Sequence, residues 1–102
     1  MQQYRLFTLL SKSIVMKYSQ QRIIALWGQS QKNLLSPGNF KLAELHALIS
    51  TLKANMSWDS VAGMSECRRA CGGLGYSHYA GIGRYWQAHD IYQSWEGDNN
   101  IL

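Results

Sequence analysis

Proline occurs once in these 102 residues, and cysteine only twice. With 46% hydrophobic and 16% charged residues, so little proline excludes the compositions of disordered and fibrous chains and leaves a globular one. No apolar run approaches the ~20 residues of a membrane span. The opening MQQYRLFTLL lacks the charged, apolar and small-residue order of a signal peptide, so a soluble intracellular protein is expected. Acidic residues are outnumbered, 6 against 10 Lys and Arg, for a formal charge of +4. The basic residues are nevertheless scattered (Arg5, Lys12, Lys17, Arg22, Lys32, Lys41, Lys53), and only Arg68 and Arg69 adjoin. That is not the dense basic stripe of a nucleic-acid surface, and an anionic small ligand suits it as well.

Metal chemistry is equally short of material. His46, His78 and His89 have no paired spacing, and Cys67 and Cys71 lack the second cysteine pair of a zinc hook. On a helix the two cysteines share a face about one turn apart, near the limit for a disulfide, so reduced packing thiols are expected. Cys71 falls at a helix C-terminus, where the dipole opposes the thiolate that a nucleophile needs.

The chain is rich, by contrast, in helical periodicity. From residue 2 to about 34 there is no proline and no glycine before Gly28, while Leu6, Leu9, Leu10, Ile14, Met16, Ile23 and Leu26 give a broad apolar side. Pro37 and Gly38 punctuate, and Asn39 can cap the next helix. That second helix is predicted from about 41 to 71, with Leu45, Leu48, Ile49, Leu52 and Met56 on one face, continued by Val61 and Met64. Two such helices should pack antiparallel. The fold class is therefore all-α. A helical hairpin alone leaves apolar flanks uncovered, and a chain of this length buries only about two thirds of its unfolded surface, so a large cofactor would need additional protein.

After Arg69 the sequence turns glycine-rich: ACGGLGYSHYAGIG carries five of the nine glycines. Here a loop is predicted over 72–83, then a short helix and a turn over 84–102. A dinucleotide phosphate loop is not expected, because a helix and not a strand precedes the glycines. The chain closes on SWEGDNNIL. Gly, Asp and Asn make this turn chemistry, yet Trp95 beside Glu96 promises a partly apolar wall that would disfavour the carboxylate, as a general base requires.

Taken together, ECRRACGGLGYSHYAGI and, about twenty residues on, WEGDNNIL resemble the C-terminal helical domain of the peroxisomal acyl-CoA oxidases, within the acyl-CoA dehydrogenase superfamily. QQYRLF and LAELHALISTLKANMSWDSVAGMSECRRACGG resemble the same family in the same order, so the likeness spans nearly the whole chain. The resemblance implies part of a C-terminal four-helix bundle, with FAD and fatty acyl-CoA bound between that bundle, an N-terminal helical domain and a middle β-domain. It makes Glu96 the catalytic base that removes the α-proton while the β-hydrogen leaves as hydride to the flavin, giving a trans-2-enoyl-CoA. O2 then reoxidises the flavin and yields hydrogen peroxide.

By the same resemblance the thioester oxygen is held at the backbone N–H of Glu96, beside Gly97. Asp98 and Asn100 stand at flavin-contacting positions, and Gly72 and Gly73 match the turn that approaches the FAD of a partner subunit, which implies a homodimer. Arg69 stands where many dehydrogenase relatives carry Gln, and a guanidinium there can serve a phosphate. The flavin-binding domain, a final helix and a peroxisomal address are not in the sequence, so a piece of a longer, peroxisomal protein is expected, inactive alone. The alternatives are an acyl-CoA dehydrogenase, which passes electrons to a protein acceptor, and a non-catalytic helical interaction module.

Overall fold

In a computed structural model, residues 1–32 and 40–102 are described. The punctuation expected at Pro37, Gly38 and Asn39 lies outside them. Helix α1 runs Gln2–Gln31 and α2 runs Phe40–Ala70. Two short 3-10 turns come next, Gly72–Tyr76 and His78–Ala80, then α3, Ile82–Asp90, and a last 3-10 turn, Ile91–Gln93. The described residues contain no strand.

Helices α1 and α2 pair antiparallel, as three contacts show. Gln2 Nε2 donates to the Ala70 carbonyl at 3.1 Å, Arg5 Nη2 meets Glu66 Oε1 at 2.5 Å, and Lys12 Nζ meets Asp59 Oδ1 at 2.6 Å. As the residue number rises on one helix, it falls on the other. The buried or half-buried positions of α1 are Arg5, Leu9, Met16, Ser19, Ile23, Leu26 and Ser30. Their steps of three, four and seven trace one seam, the pattern of a helix with a single partner.

The broad apolar side of α1 is left largely uncovered by the described residues. Phe7, Val15, Tyr18 and Ile24 are all more than half exposed, and among the described residues Leu45 and Ala54 are the buried apolar side chains. The radius of gyration of 17.2 Å agrees, since a compact chain of this length would have about 13 Å. The molecule is a rod, 58 Å long and 26 by 21 Å across, with its core confined to the seam.

Helix α2 stops for local reasons. Arg68 and Arg69 in its last turn suit the negative end of the helix dipole, and Gly72 adopts φ +60°, the left-handed step that closes helices. The loop expected over 72–83 is instead largely helical in short pieces. Ser77 accepts the Tyr79 N–H through its Oγ and so starts the second 3-10 turn, and the Gly81 carbonyl accepts from Arg84 and Tyr85, starting α3 two residues before the predicted position. These turns fold the chain back so that α3 packs on α2 and the terminal turn reaches the middle of α2.

Candidate active site

The terminal turn grows out of the turn Ile91–Gln93. Ser94 and Trp95 donate their N–H groups to the Ile91 carbonyl at 3.1 and 2.8 Å, and Asn99 N–H returns to the Gln93 carbonyl at 3.0 Å. Between these anchors the chain bends through Glu96 at φ +57° and Gly97 at φ +114°. Among the described residues, Glu96 is the non-glycine residue held at positive φ, a conformation that costs about 1–3 kcal/mol and persists only where surrounding contacts enforce it. Asp98 closes the turn as an Asx motif: Oδ1 accepts Asn100 N–H at 2.8 Å and Asn100 Nδ2 at 2.9 Å. Those two donors, the backbone one foremost, hold the Asp98 carboxyl below its ordinary range.

The enforcing contacts come from the middle of α2. Lys53 Nζ donates to the Gly97 carbonyl and, at 2.8 Å, to Asn99 Oδ1. Asn99 is only 5% exposed, and its Nδ2 donates to the Ala54 carbonyl at 3.2 Å and to Ser57 Oγ at 2.7 Å. Every polar atom of that side chain is thus occupied, as burial demands.

Glu96 itself is exposed, and among the described residues its backbone N–H has no acceptor. The apolar wall expected from Trp95 is not formed among the described residues. The indole is 55% exposed and leans back on Tyr92, with centroids 6.4 Å apart, while Tyr92 meets His89 edge-on at 5.5 Å. This aromatic row runs back toward α3 and leaves the carboxylate open.

The predicted site residues fall into two groups. Glu96, Gly97, Asp98 and Asn100 share the terminal turn. Arg69, Gly72 and Gly73 lie at the end of α2, and at about 1.5 Å of rise per residue Arg69 is about 24 Å beyond Lys53, so the described residues do not bring the two groups together. At that far end Glu66 is shared: Arg69 donates from Nη2 at 2.6 Å and Nε at 3.0 Å to Oε2, and Arg5 Nε donates to Oε1 at 2.5 Å. Hydrogen bonds from Arg69 first, then Arg5, hold the Glu66 carboxyl below its ordinary range. Arg68 turns the other way, donating from Nε to the Gly75 carbonyl at 3.1 Å and lying 4.7 Å over the Tyr76 ring. Three guanidinium groups against one carboxylate leave this end positive, and a β-carbon on Gly72 or Gly73 would meet nothing within 4 Å. Open backbone beside surplus positive charge fits the diphosphate of a dinucleotide such as FAD.

The sequence does not single out Lys53, Ser57 or Asn99. Lys53 looks like an ordinary solvated helix lysine, and Asn99 like one more turn former among Asp98, Gly97 and Asn100. Among the described residues no cluster of three His, Cys, Asp or Glu could hold a metal ion, and no helix is long and apolar enough to cross a membrane.

An antiparallel helical hairpin with exposed apolar flanks, followed by short turns and a third helix packed on α2, belongs to the all-helical, bundle-type class of domains. The whole chain, residues 1–102, matches the model of the acyl-CoA oxidase C-alpha1 domain, and the chain belongs to that family. It is 36% identical over 101 residues to peroxisomal acyl-coenzyme A oxidase 1 of Mus musculus and 33% identical over 101 residues to that of Homo sapiens, covering 99% of this chain and 15% of each relative. Acyl-coenzyme A oxidase 1 of Yarrowia lipolytica is 41% identical over 73 residues, which are 72% of this chain and 11% of that relative. No solved structure matches. The chain spans about 15% of the length of its animal relatives.

Proposed function

We propose that this chain serves as the base-bearing segment of an FAD-dependent acyl-CoA oxidase, which desaturates fatty acyl-CoA to trans-2-enoyl-CoA in the β-oxidation of the peroxisome. The observation that carries the reading is the geometry at Glu96: a carboxylate on an exposed turn, held at φ +57°, whose own N–H is left without an acceptor among the described residues.

The hydrogen next to a thioester is weakly acidic, so the base must be fixed within reach and the charge that grows on the thioester oxygen must be met. Glu96 takes the α-proton on its carboxylate. Its backbone N–H, unspent within the chain, donates to the thioester oxygen as that charge develops. Gly97 adds no side chain beside this donor and leaves room for the acyl-CoA. When bound, FAD supplies the acceptor for the β-hydrogen as hydride, and its electrons pass to O2 to give H2O2. Asp98 and Asn100 would help hold that flavin, and Arg69 with the open backbone at Gly72 and Gly73 would hold the FAD of the second subunit of a homodimer. The separation of the two groups along α2 supports assigning them to different active sites. The exposed carboxylate calls for the rest of the oxidase to cover Trp95 and Glu96 and to exclude water.

The test is Glu96→Gln in the oxidase that carries this segment. Turnover and peroxide release should be lost while the flavin absorbance stays, because the amide keeps the shape and cannot take a proton. Peroxide release at the unaltered rate would refute the assignment.

A further inference from the structure

We infer that Lys53 is a positioning residue for Glu96, acting with Asn99 and Ser57 as a clamp that fixes the base-bearing turn to α2. The inference rests on the reading of Glu96 as the base, and the residues of the clamp never touch that carboxylate. Lys53 Nζ bridges the Gly97 carbonyl and Asn99 Oδ1, the residues one and three places after the base. Asn99 is buried, and its amide nitrogen spends both protons on α2, at the Ala54 carbonyl and Ser57 Oγ. Ser57 Oγ donates in turn to the Lys53 carbonyl at 2.8 Å, so the acceptor of one contact is fixed by the backbone of the residue that makes another.

A turn that only needed closing already has its closure. Asn99 N–H donates to the Gln93 carbonyl, and the N–H groups of Ile101 and Leu102 donate to the Asp98 carbonyl, all within ten residues. Lys53 adds something those local bonds cannot: it ties the backbone immediately after Glu96 to a helix 44 residues away in sequence. The amine meets the Gly97 carbonyl dipole, and the Asp98 carboxyl, which feels the same positive charge, is held by Asn100. With Gly97 at φ +114° next to Glu96, the chain has a soft step beside the base, and the clamp removes that freedom.

The test uses the full-length oxidase with Lys53→Met, which keeps the length and packing of the side chain and removes its donors. A base displaced by about 1 Å costs on the order of 100-fold in rate, so kcat should fall about 10- to 100-fold while KM for acyl-CoA changes less than about threefold. Flavin content should be unchanged, and Lys53→Arg, which restores donors at this point, should recover part of kcat. Ser57→Ala, a milder cut in the same clamp, should lower kcat by about two- to fivefold and guards against a Lys53→Met protein that does not fold. Hydrogen exchange at the amides of residues 97–102 should speed up in Lys53→Met. If kcat of Lys53→Met stays within about twofold of the parent while Glu96→Gln is dead, the clamp is refuted and the base stands. If Glu96→Gln remains active, the base reading has failed, and exchange alone decides the clamp: unchanged exchange at 97–102 refutes it.

Discussion

Gly75 is packed against Arg68 so closely that a β-carbon at position 75 would overlap the Arg68 carbonyl oxygen and stand 3.0 Å from its carbonyl carbon and 3.1 Å from Cys71 Cβ. The obstruction is helix backbone, which cannot turn aside as a side chain can. Gly75→Ala should therefore destabilise the protein by about 1–3 kcal/mol, the usual cost of overpacking. Gly73, two residues earlier, faces open space, and Gly73→Ala should change stability by less than about 0.5 kcal/mol. Thermal unfolding of the two variants checks the contrast. A loss of FAD from Gly73→Ala with unchanged stability would point to the cofactor approach proposed for that turn.

This contrast also marks how far the sequence can be read. Both long helices are legible, because residues 2 to 27 hold no breaker and Leu45, Leu48, Leu52 and Met56 recur at helical spacing. So is the family, through motifs spread along the chain. The glycines read as a loop because composition alone does not distinguish an open loop from 3-10 turns, which Ser77 and the Gly81 carbonyl decide by local hydrogen bonds. The apolar wall expected at Trp95 is not present among the described residues, because adjacency in sequence does not say which way an indole leans. The clamp is invisible for a different reason: Lys53 and Asn99 are 46 residues apart, and no local pattern couples them.

Acid should weaken the hairpin through Glu66. Its carboxyl is held below the ordinary glutamate range in the folded chain, chiefly by Arg69 and next by Arg5. A group whose pKa is depressed by folding contributes stability above its unfolded value, and that contribution is lost as the pH falls through the folded one. The melting temperature should drop on acidification through and below the glutamate range, and Glu66→Gln should flatten part of that slope. The side chains are partly exposed, so the effect is small and should shrink further in high salt. Asp98 titrates in the same direction, held by Asn100, and Asp98→Asn should remove a separate share.

The role proposed for Glu96 sets stability against activity. A glutamate at φ +57° carries the left-handed penalty, and glycine at the same place does not. Glu96→Gly should raise the free energy of unfolding by up to about 1 kcal/mol, less than the full penalty because glycine also gains freedom in the unfolded chain. The same variant should have no oxidase turnover. A protein that becomes more stable on losing one surface acid, and inactive at once, is the signature of a residue kept for chemistry. An unchanged or lower melting temperature would mean that the turn favours glutamate there for structural reasons.

Gly97 separates two possible sources of cost. A β-carbon there would lie 3.2 Å from Leu102 Cδ2 and 3.3 Å from its Cδ1 and Cγ, and the residue sits at φ +114°, where L side chains are strained whatever the space. The contact can be relieved, because Leu102 is 46% exposed and its side chain can swing outward. The backbone conformation cannot be relieved without moving the carbonyl that Lys53 holds. Gly97→Ala should cost about 1–3 kcal/mol, and adding Leu102→Ala should recover little of it, since the two changes act on different terms. In the full-length oxidase the same substitution should lower kcat as well, by shifting the Glu96 carboxylate. If the double variant regains the parental melting temperature, the contact with Leu102 is the cause, and the strain assigned to this turn is too large.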